Sequence, residues 1–406
     1  VESSGASDGA VGGACAYSHL AHANDLEPSV GHHHLLDHCP VHRETSYEPP
    51  FYVVSRQADA LAMLLQPDLW NNGDGPGVYF QNGGVLGSAD GEDHKRQRKV
   101  LQDGFRPHVI EQLAPRVEAI GDELWRSVFA EDGEGDFVEL FAFPFPAIVI
   151  AELLGVPADR REQFGRWSTD IVNGLGGGDL ALVDAANMGI YSIVDEVVRA
   201  RTASIEAGEP LGDDVLSVLT RAHLDGLLQY SEVRRLSQQL LVAGHETTAS
   251  LLSLMLFRLI ERPQLVDQLR ADPSLVAEAV EEFLRFDSPV QGLFRTNPVD
   301  ASLAGVDVPI KTKVQVLFAA ANRDDAYWEQ PDEIRFDRPA GRPHLAFGWG
   351  IHHCIGAPLA RREGQMTLRW ILDRFESVEL VGPPATNETF ILRGLTSLPV
   401  RWKVRR

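Results

Sequence analysis

The sequence predicts a mainly α protein with small β-sheets, and three observations carry that prediction. Apolar residues recur at three- and four-residue spacing through most of the chain beyond Glu92. Strict alternation is confined to short stretches near Phe51 and after Ala301. No internal repeat or interdomain linker breaks the pattern, which favours one domain over residues 46–406 behind a largely flexible segment, residues 1–45.

The opening segment is rich in Gly, Ser, Asp and His with weak periodicity, and order is expected to begin near Pro49. A short strand at Phe51–Ser55 and a helix at Ala58–Leu65 follow. The glycine-rich stretch from Asn71 to Gly91 lacks helical spacing, and a loop of that length inside a compact domain is often functional. Helices are then expected at 94–103, 107–130, 147–154, 158–173, 180–207, 213–224, 231–261, 263–270 and 274–286. The run Asn173-Gly174-Leu175-Gly176-Gly177-Gly178 reads as a hinge. Alternation at Ala301–Phe318, Phe390–Leu392 and Val400–Val404 supplies the sheet component.

Lysine and arginine total 37 against 58 acidic residues, and the resulting charge of −21 repels nucleic acid and anionic membrane surfaces. Cys15, Cys39 and Cys354 are too few and too scattered to staple the chain, which suits a reducing compartment. Leu236–Ile260 is long and apolar, but His245 and Glu246 interrupt it, so a buried helix is expected rather than a membrane span. Val1–Leu20 does not read as a secretory signal, and a cytoplasmic location is expected.

Chemistry concentrates in two motifs. The first is Phe347-Gly348-Trp349-Gly350-Ile351-His352-His353-Cys354-Ile355-Gly356, which places one cysteine at the end of a glycine-punctuated loop and at the start of a helix over Ala357–Leu372, with Pro358 in its first turn. The helix dipole and free N–H groups there would stabilise a thiolate. An inert buried cysteine is one rival reading. A zinc site using His344, His352 or His353 is another, although zinc asks for four ligands and no second cysteine lies nearby. The second motif, Ala243-Gly244-His245-Glu246-Thr247-Thr248, puts a carboxylate and two hydroxyls inside the long apolar helix, where burial without partners is costly. Thr247 can bond back to the Ala243 carbonyl and loosen the helix, with Gly244 leaving a groove uncrowded. The rival reading is a salt-bridged core glutamate beside helix-tolerated threonines.

Together these motifs resemble the bacterial soluble cytochrome P-450 family, through F-G-x-G-x-H-x-C-x-G and A-G-x-E-T-T, over nearly the whole chain from about residue 50. The resemblance implies the triangular, mostly helical fold and haem b, with Cys354 as the thiolate iron ligand. Glu246 and Thr247 become the acid–alcohol pair that relays protons. The cofactor site also takes in Ala243, Gly244, Phe347, Gly348 and Gly356, with His94, Arg98, Arg295 and His352 on the propionates. Glu282, Arg285 and Arg338 form a structural network. Substrate contacts are expected from Val78, Tyr79, Phe80, Gln239, Val242, Gln291, Leu293 and Phe294, and from a turn at Leu395 and Thr396.

The implied reaction inserts one atom of O2 into a C–H or C=C bond of a small hydrophobic substrate. No dinucleotide fingerprint follows a strand, so electrons are expected from a separate ferredoxin and its reductase. A basic spot of Lys95, Arg96, Arg361 and Arg362 on the cysteine side is the expected dock, and the chain is expected to be monomeric. A peroxygenase, a haem gas sensor or electron carrier, and a catalytically silent haem protein are the competing functions. The histidine cluster His32, His33, His34, His38 and His42, with Cys39, is read as a solvated or partly ordered segment.

Overall fold

The computed structural model describes residues 26, 27 and 30–406, except 82, 158, 159, 177 and 340. The flexible reading of residues 1–25, 28 and 29 lies outside the described residues. Within the rest of that segment the expectation is corrected: Val30–His38 is a helix, α1, and Val41–Glu44 is a strand, β1. The histidine cluster lies on folded elements, with His38 exposed and His33 and His34 half-buried. His32 is buried, His33 pairs with Asp332 at 3.0 Å, and His42 is buried beside Glu44.

The helices follow the apolar spacing closely. They are α2 (Gln57–Leu64), α3 (Gly91–Gln102), α4 (Pro107–Val128), α5 (Pro144–Leu154), α6 (Arg161–Leu175), α7 (Leu180–Glu206), α8 (Val215–Leu224), α9 (Tyr230–Glu261), α10 (Pro263–Ala271), α11 (Val276–Asp287), a short α12 (Phe318–Ala321) and α13 (Ala357–Arg374). Proline at the start of α4, α5, α10 and α13 costs nothing, because the first-turn N–H groups have no intrahelical partner.

The 32-residue α9 is the axis of the molecule. It is long and apolar enough to cross a membrane by length and composition, but 78% of its most apolar window is buried inside the fold. Trp125 of α4, Phe141, Trp370 of α13, Phe375 and Trp402 build an aromatic cluster beside its C-terminal half. Arg258 of α9 is fully buried. Its charge is answered by Asp287 at 2.7 Å, Glu261 at 2.8 Å and Glu27 at 2.6 Å, which ties the first described residues to the core.

The sheet component is larger than alternation suggested. One four-stranded sheet has the order β1-β2-β7-β4, with β2 (Phe51–Val54) parallel to β7 (Lys313–Val316) and β4 (Leu293–Thr296) antiparallel to it. A second sheet pairs β3 (Gly133–Asp136), β11 (Pro399–Val404) and β8 (Phe375–Leu380). The expected alternation over 301–318 resolves into the hairpin β5 (Ala301–Leu303) and β6 (Val306–Val308), then β7. Ala304 and Gly305 both take positive φ, as a two-residue hairpin turn requires. Two expectations fail here. Phe390–Leu392 is no strand, only a bridge from Leu392 to Val290, because these side chains pack into the core instead of alternating. Leu395 and Thr396 lie in strand β10 (Leu395–Ser397), paired with β9 (Ala385–Thr386), rather than in a turn. The glycine run after α6 is also less free than a hinge: the helix continues to Leu175, and the Gly178 N–H returns to the Asn173 carbonyl at 2.9 Å.

Candidate functional site

Cys354 sits where the loop meets α13. Its N–H donates to the Phe347 carbonyl at 2.9 Å, and the N–H groups of Gly356 and Ala357 point at its sulfur. Gly348 and Gly350 take φ of +64° and +73°, a region that L side chains avoid. A Cβ on Gly350 would stand 2.6 Å from the Leu64 carbonyl, so this glycine admits α2 rather than a ligand. The thiol is free and accessible although protein surrounds it on all sides, so it opens inward. Burial pushes its pKa up, against the two N–H groups, Arg98 and Arg361, which pull it down. The expected lowering by the helix terminus is therefore present but outweighed in the bare thiol.

Next to Cys354 lies a group of basic side chains short of anions. Arg98 of α3 is half-buried and donates to the His353 carbonyl at 2.9 Å. The His94 and His352 rings are 4.2 Å apart, and neither His94 Nε2 nor His352 Nδ1 has a hydrogen-bond partner. Burial, His352 and Arg98 push His94 down to about 4. Arg295 of β4 is buried, donates only to the neighbouring Phe294 carbonyl, and is pushed down to about 10 by burial. The one carboxylate in the group is Asp90. It accepts from His352 at 3.3 Å and from the N–H groups of Asn72 and Gly73, which outweigh burial and hold it below the usual range. The sequence expected all four basic residues here and missed Asp90.

On α9 the exposure pattern is unusual. Leu240, Leu241 and Val242 are buried, Ala243 is exposed, and Gly244, Glu246 and Thr247 are half-buried. A helix in the middle of a fold that exposes one alanine borders internal space. Thr247 Oγ1 donates to the Ala243 carbonyl at 2.7 Å, as its sequence position predicts. Gly244 does not open a groove: a Cβ there would meet Ile150 of α5 at 2.9 Å, so the glycine permits close helix packing. Glu246 forms no salt bridge among the described residues. Its carboxyl is held by the hydroxyl of Thr169 on α6, and burial pushes its pKa up. His245 is buried, donates to the Phe143 carbonyl at 3.0 Å and is pushed down to about 4 by burial, so it is neutral. Thr169 lies 77 residues from Glu246, and no local pattern pointed to it.

The Glu282 network is complete. Arg285 reaches Glu282 through two bonds of 2.7 and 2.8 Å, Arg338 Nε reaches both carboxylate oxygens at 2.8 and 2.9 Å, and the Arg335 N–H adds a fifth at 2.9 Å.

The residues expected to contact substrate scatter. Tyr79 and Phe80 are exposed and Leu293 is half-buried. Gln239 is half-buried and accepts from the Gly87 N–H at 3.2 Å. Val78, Val242 and Leu395 are buried in the core, and Thr396 is exposed. Two of the set are corrected. Phe294 has no exposure, because it packs edge-on against Phe51 with ring centroids 5.0 Å apart. Gln291 spends its amide on the Asp287 and Ser288 carbonyls that end α11. The basic spot is largely neutralised too: Arg361 pairs with Glu281, Arg96 with Glu232 and Asp93, and Lys95 with Glu92.

A family model described as cytochrome P-450 matches residues 170–404. The 6-deoxyerythronolide B hydroxylase of Saccharopolyspora erythraea is 38% identical over 322 residues, 78% of this chain and 77% of that protein. The vitamin D(3) 25-hydroxylase of Pseudonocardia autotrophica is 35% identical over 378 residues, 89% of this chain and 90% of that one. Among solved structures, the cytochrome P-450 enzyme CxnD, for C–S bond formation in chuangxinmycin biosynthesis, superposes with a TM-score of 0.84 at 32% identity, covering 93% of this chain and 96% of its own. The fold, the inward-facing thiol and these relatives agree: the chain belongs to the cytochrome P-450 family and is a haem b-dependent haem-thiolate monooxygenase that uses O2 and redox partners on a hydrophobic substrate.

Proposed function

We propose that Cys354 would hold the haem iron through its thiolate, and that His94, Arg98, Arg295 and His352 would receive the two propionates. The observation that carries this is the cluster beside Cys354: two buried imidazole nitrogens without partners and two guanidiniums that, among the described residues, form no ion pair and donate only to backbone carbonyls, which is the donor set a dianionic group needs. Haem bound there would supply the oxygen-activating chemistry.

The chain's own residues then supply position and protons. Ala243, Gly348 and Gly356 would leave the ring side-chain-poor surroundings, with Phe347 beside the cysteine loop, whereas Gly244 is spent on packing against Ile150. Glu246, kept protonated more readily by burial, is the reservoir from which protons move toward the Thr247 hydroxyl. Two protons and two electrons per O2 balance R–H to R–OH plus water. Neutral His245 beside Glu246 leaves that carboxyl as the titrating group of this stretch of α9.

The substrate is a hydrophobic molecule of terpenoid, aromatic, fatty or steroid-like character, entering past Tyr79, Phe80, Leu293 and Gln239. Relatives named for 6-deoxyerythronolide B and vitamin D(3) fit that class. Electrons come from a ferredoxin docking on the Cys354 side. With most of the basic spot already paired, Lys99 of α3, Arg362 of α13 and shape contribute most. The protein works as a cytoplasmic monomer.

The test is a screen of such compounds for a shift of the ferric absorption band, followed by turnover with a ferredoxin, its reductase and O2. A product heavier by one oxygen, labelled from 18O2, is expected. Efficient turnover with hydrogen peroxide alone and none with O2 and electrons would favour the peroxygenase reading.

A further inference from the structure

Strand β7 is buried along its length, yet two of its four residues, Lys313 and Gln315, are polar. They share one face of the strand, where Gln315 stands in register with Val53 and Phe294, and Lys313 with the buried Thr296. An ammonium that is 2% exposed there must find acceptors. It donates to the Asp74 carbonyl at 2.8 Å and the Gly75 carbonyl at 2.6 Å, and the Phe80 ring lies 5.1 Å from Nζ.

All three partners belong to one short segment of the loop between Asn71 and Gly91. Flanking bonds secure its first half: Asn71 exchanges backbone bonds with Thr296, and the Phe294 N–H donates to the Pro76 carbonyl at 2.9 Å. Farther along, the Val78 N–H reaches the Leu175 carbonyl at the end of α6, at 3.2 Å. Between these ties the loop turns outward and presents Tyr79 and Phe80. A second lysine bond to this segment, Lys311 to Asp74 at 3.2 Å, involves a side chain 61% exposed and contributes little. Burial pushes Lys313 down to about 8, with Asp74 pulling it up and Arg295 pushing it further down. A buried side chain whose acceptors and ring contact all lie in one loop points to a local task.

We propose that Lys313 is a positioning residue for substrate entry: its side chain clasps residues 74–80 and fixes where Tyr79 and Phe80 stand. This rests on the reading of that loop as substrate-facing. Methionine keeps the length and removes the charge. In haem-loaded Lys313→Met, amide hydrogen exchange over residues 74–81 rises about tenfold while α9 and β4 keep their protection. The association rate of clotrimazole, a bulky azole, rises several-fold, and that of imidazole changes less than about twofold. Methionine leaves the Asp74 and Gly75 carbonyls without their donor, so a modest fall in thermal midpoint accompanies either role, and the local exchange and the clotrimazole rate carry the test. Phe80→Leu, at an exposed site, removes the ring but leaves the carbonyl bonds, and raises exchange over the same segment about threefold. Unchanged exchange in both variants overturns the clasp. Faster exchange with an unchanged clotrimazole rate overturns the substrate-facing reading of the loop, and with it the positioning role.

Discussion

Glu282 and Glu246 are both largely enclosed by protein, and they are held in opposite ways. Glu282 takes five hydrogen bonds from Arg285, Arg338 and the Arg335 N–H, so every lone pair is occupied and two cations fix its charge. Glu246 has the Thr169 hydroxyl and no cation, and burial raises its pKa. A saturated carboxylate is a structural anchor, because moving its proton or its position would orphan several partners at once. A carboxylate with one hydroxyl contact can change protonation at small cost, as proton delivery requires. The difference separates the region that holds the cysteine loop in place from the region that does chemistry.

Breaking the first region has the largest effect. Glu282→Ala leaves Arg285 and Arg338 buried without their anion and is expected to cost about 3–5 kcal/mol, read as a lower thermal midpoint and poor haem retention; a change under about 1 kcal/mol contradicts the anchor. Thr247→Ala leaves the fold and thiolate ligation intact. It is expected to lower product formation roughly 100-fold while consumed electrons appear as peroxide, and product as tightly coupled as wild type would remove Thr247 from proton delivery. Thr169→Val takes away the group that steadies the Glu246 carboxylate, so that carboxyl rises further. The pH dependence of turnover should shift upward by about 0.7 unit, the equivalent of about 1 kcal/mol. An unmoved profile means that Glu246 does not govern it.

The smallest effect sharpens the comparison at a third carboxyl. Glu363 of α13 is 1% exposed, its Oε2 has no partner, and burial raises its pKa well above the ordinary value of 4.5. A raised folded-state pKa means that folding takes up a proton once pH exceeds the unfolded value, so stability from this group is present at low pH and lost as pH rises. Glu363→Gln should match wild type in thermal midpoint near pH 4 and exceed it increasingly toward pH 8. A difference that does not grow with pH would show that Glu363 is not the titrating group.

The first region was legible in the sequence because its parts are local motifs. Glu282 and Arg285 stand three residues apart on one helix, Arg338 sits in Phe336-Asp337-Arg338-Pro339, and the cysteine loop carries its glycines at fixed spacing. The second region was legible only where one helix carries the signal, as in Glu246 and Thr247. Thr169, Asp90 and Lys313 act across 77, 262 and 239 residues of separation, and each looks ordinary in its own neighbourhood. Gln291 and Phe294 misled for the same reason. An amide and an aromatic ring beside a strand suit a pocket equally well whether they face it or close a helix end and a core, and only packing decides.

The central claim is that Cys354 is the thiolate that would hold the haem iron. The most direct measurement is the absorption spectrum of the dithionite-reduced, haem-loaded protein with and without carbon monoxide, compared with Cys354→Ser. The account predicts a main band displaced far to long wavelength in the wild type and absent in Cys354→Ser, with haem still bound in both. An undisplaced band in folded, haem-loaded wild-type protein, or a displaced one that survives in Cys354→Ser, would contradict it.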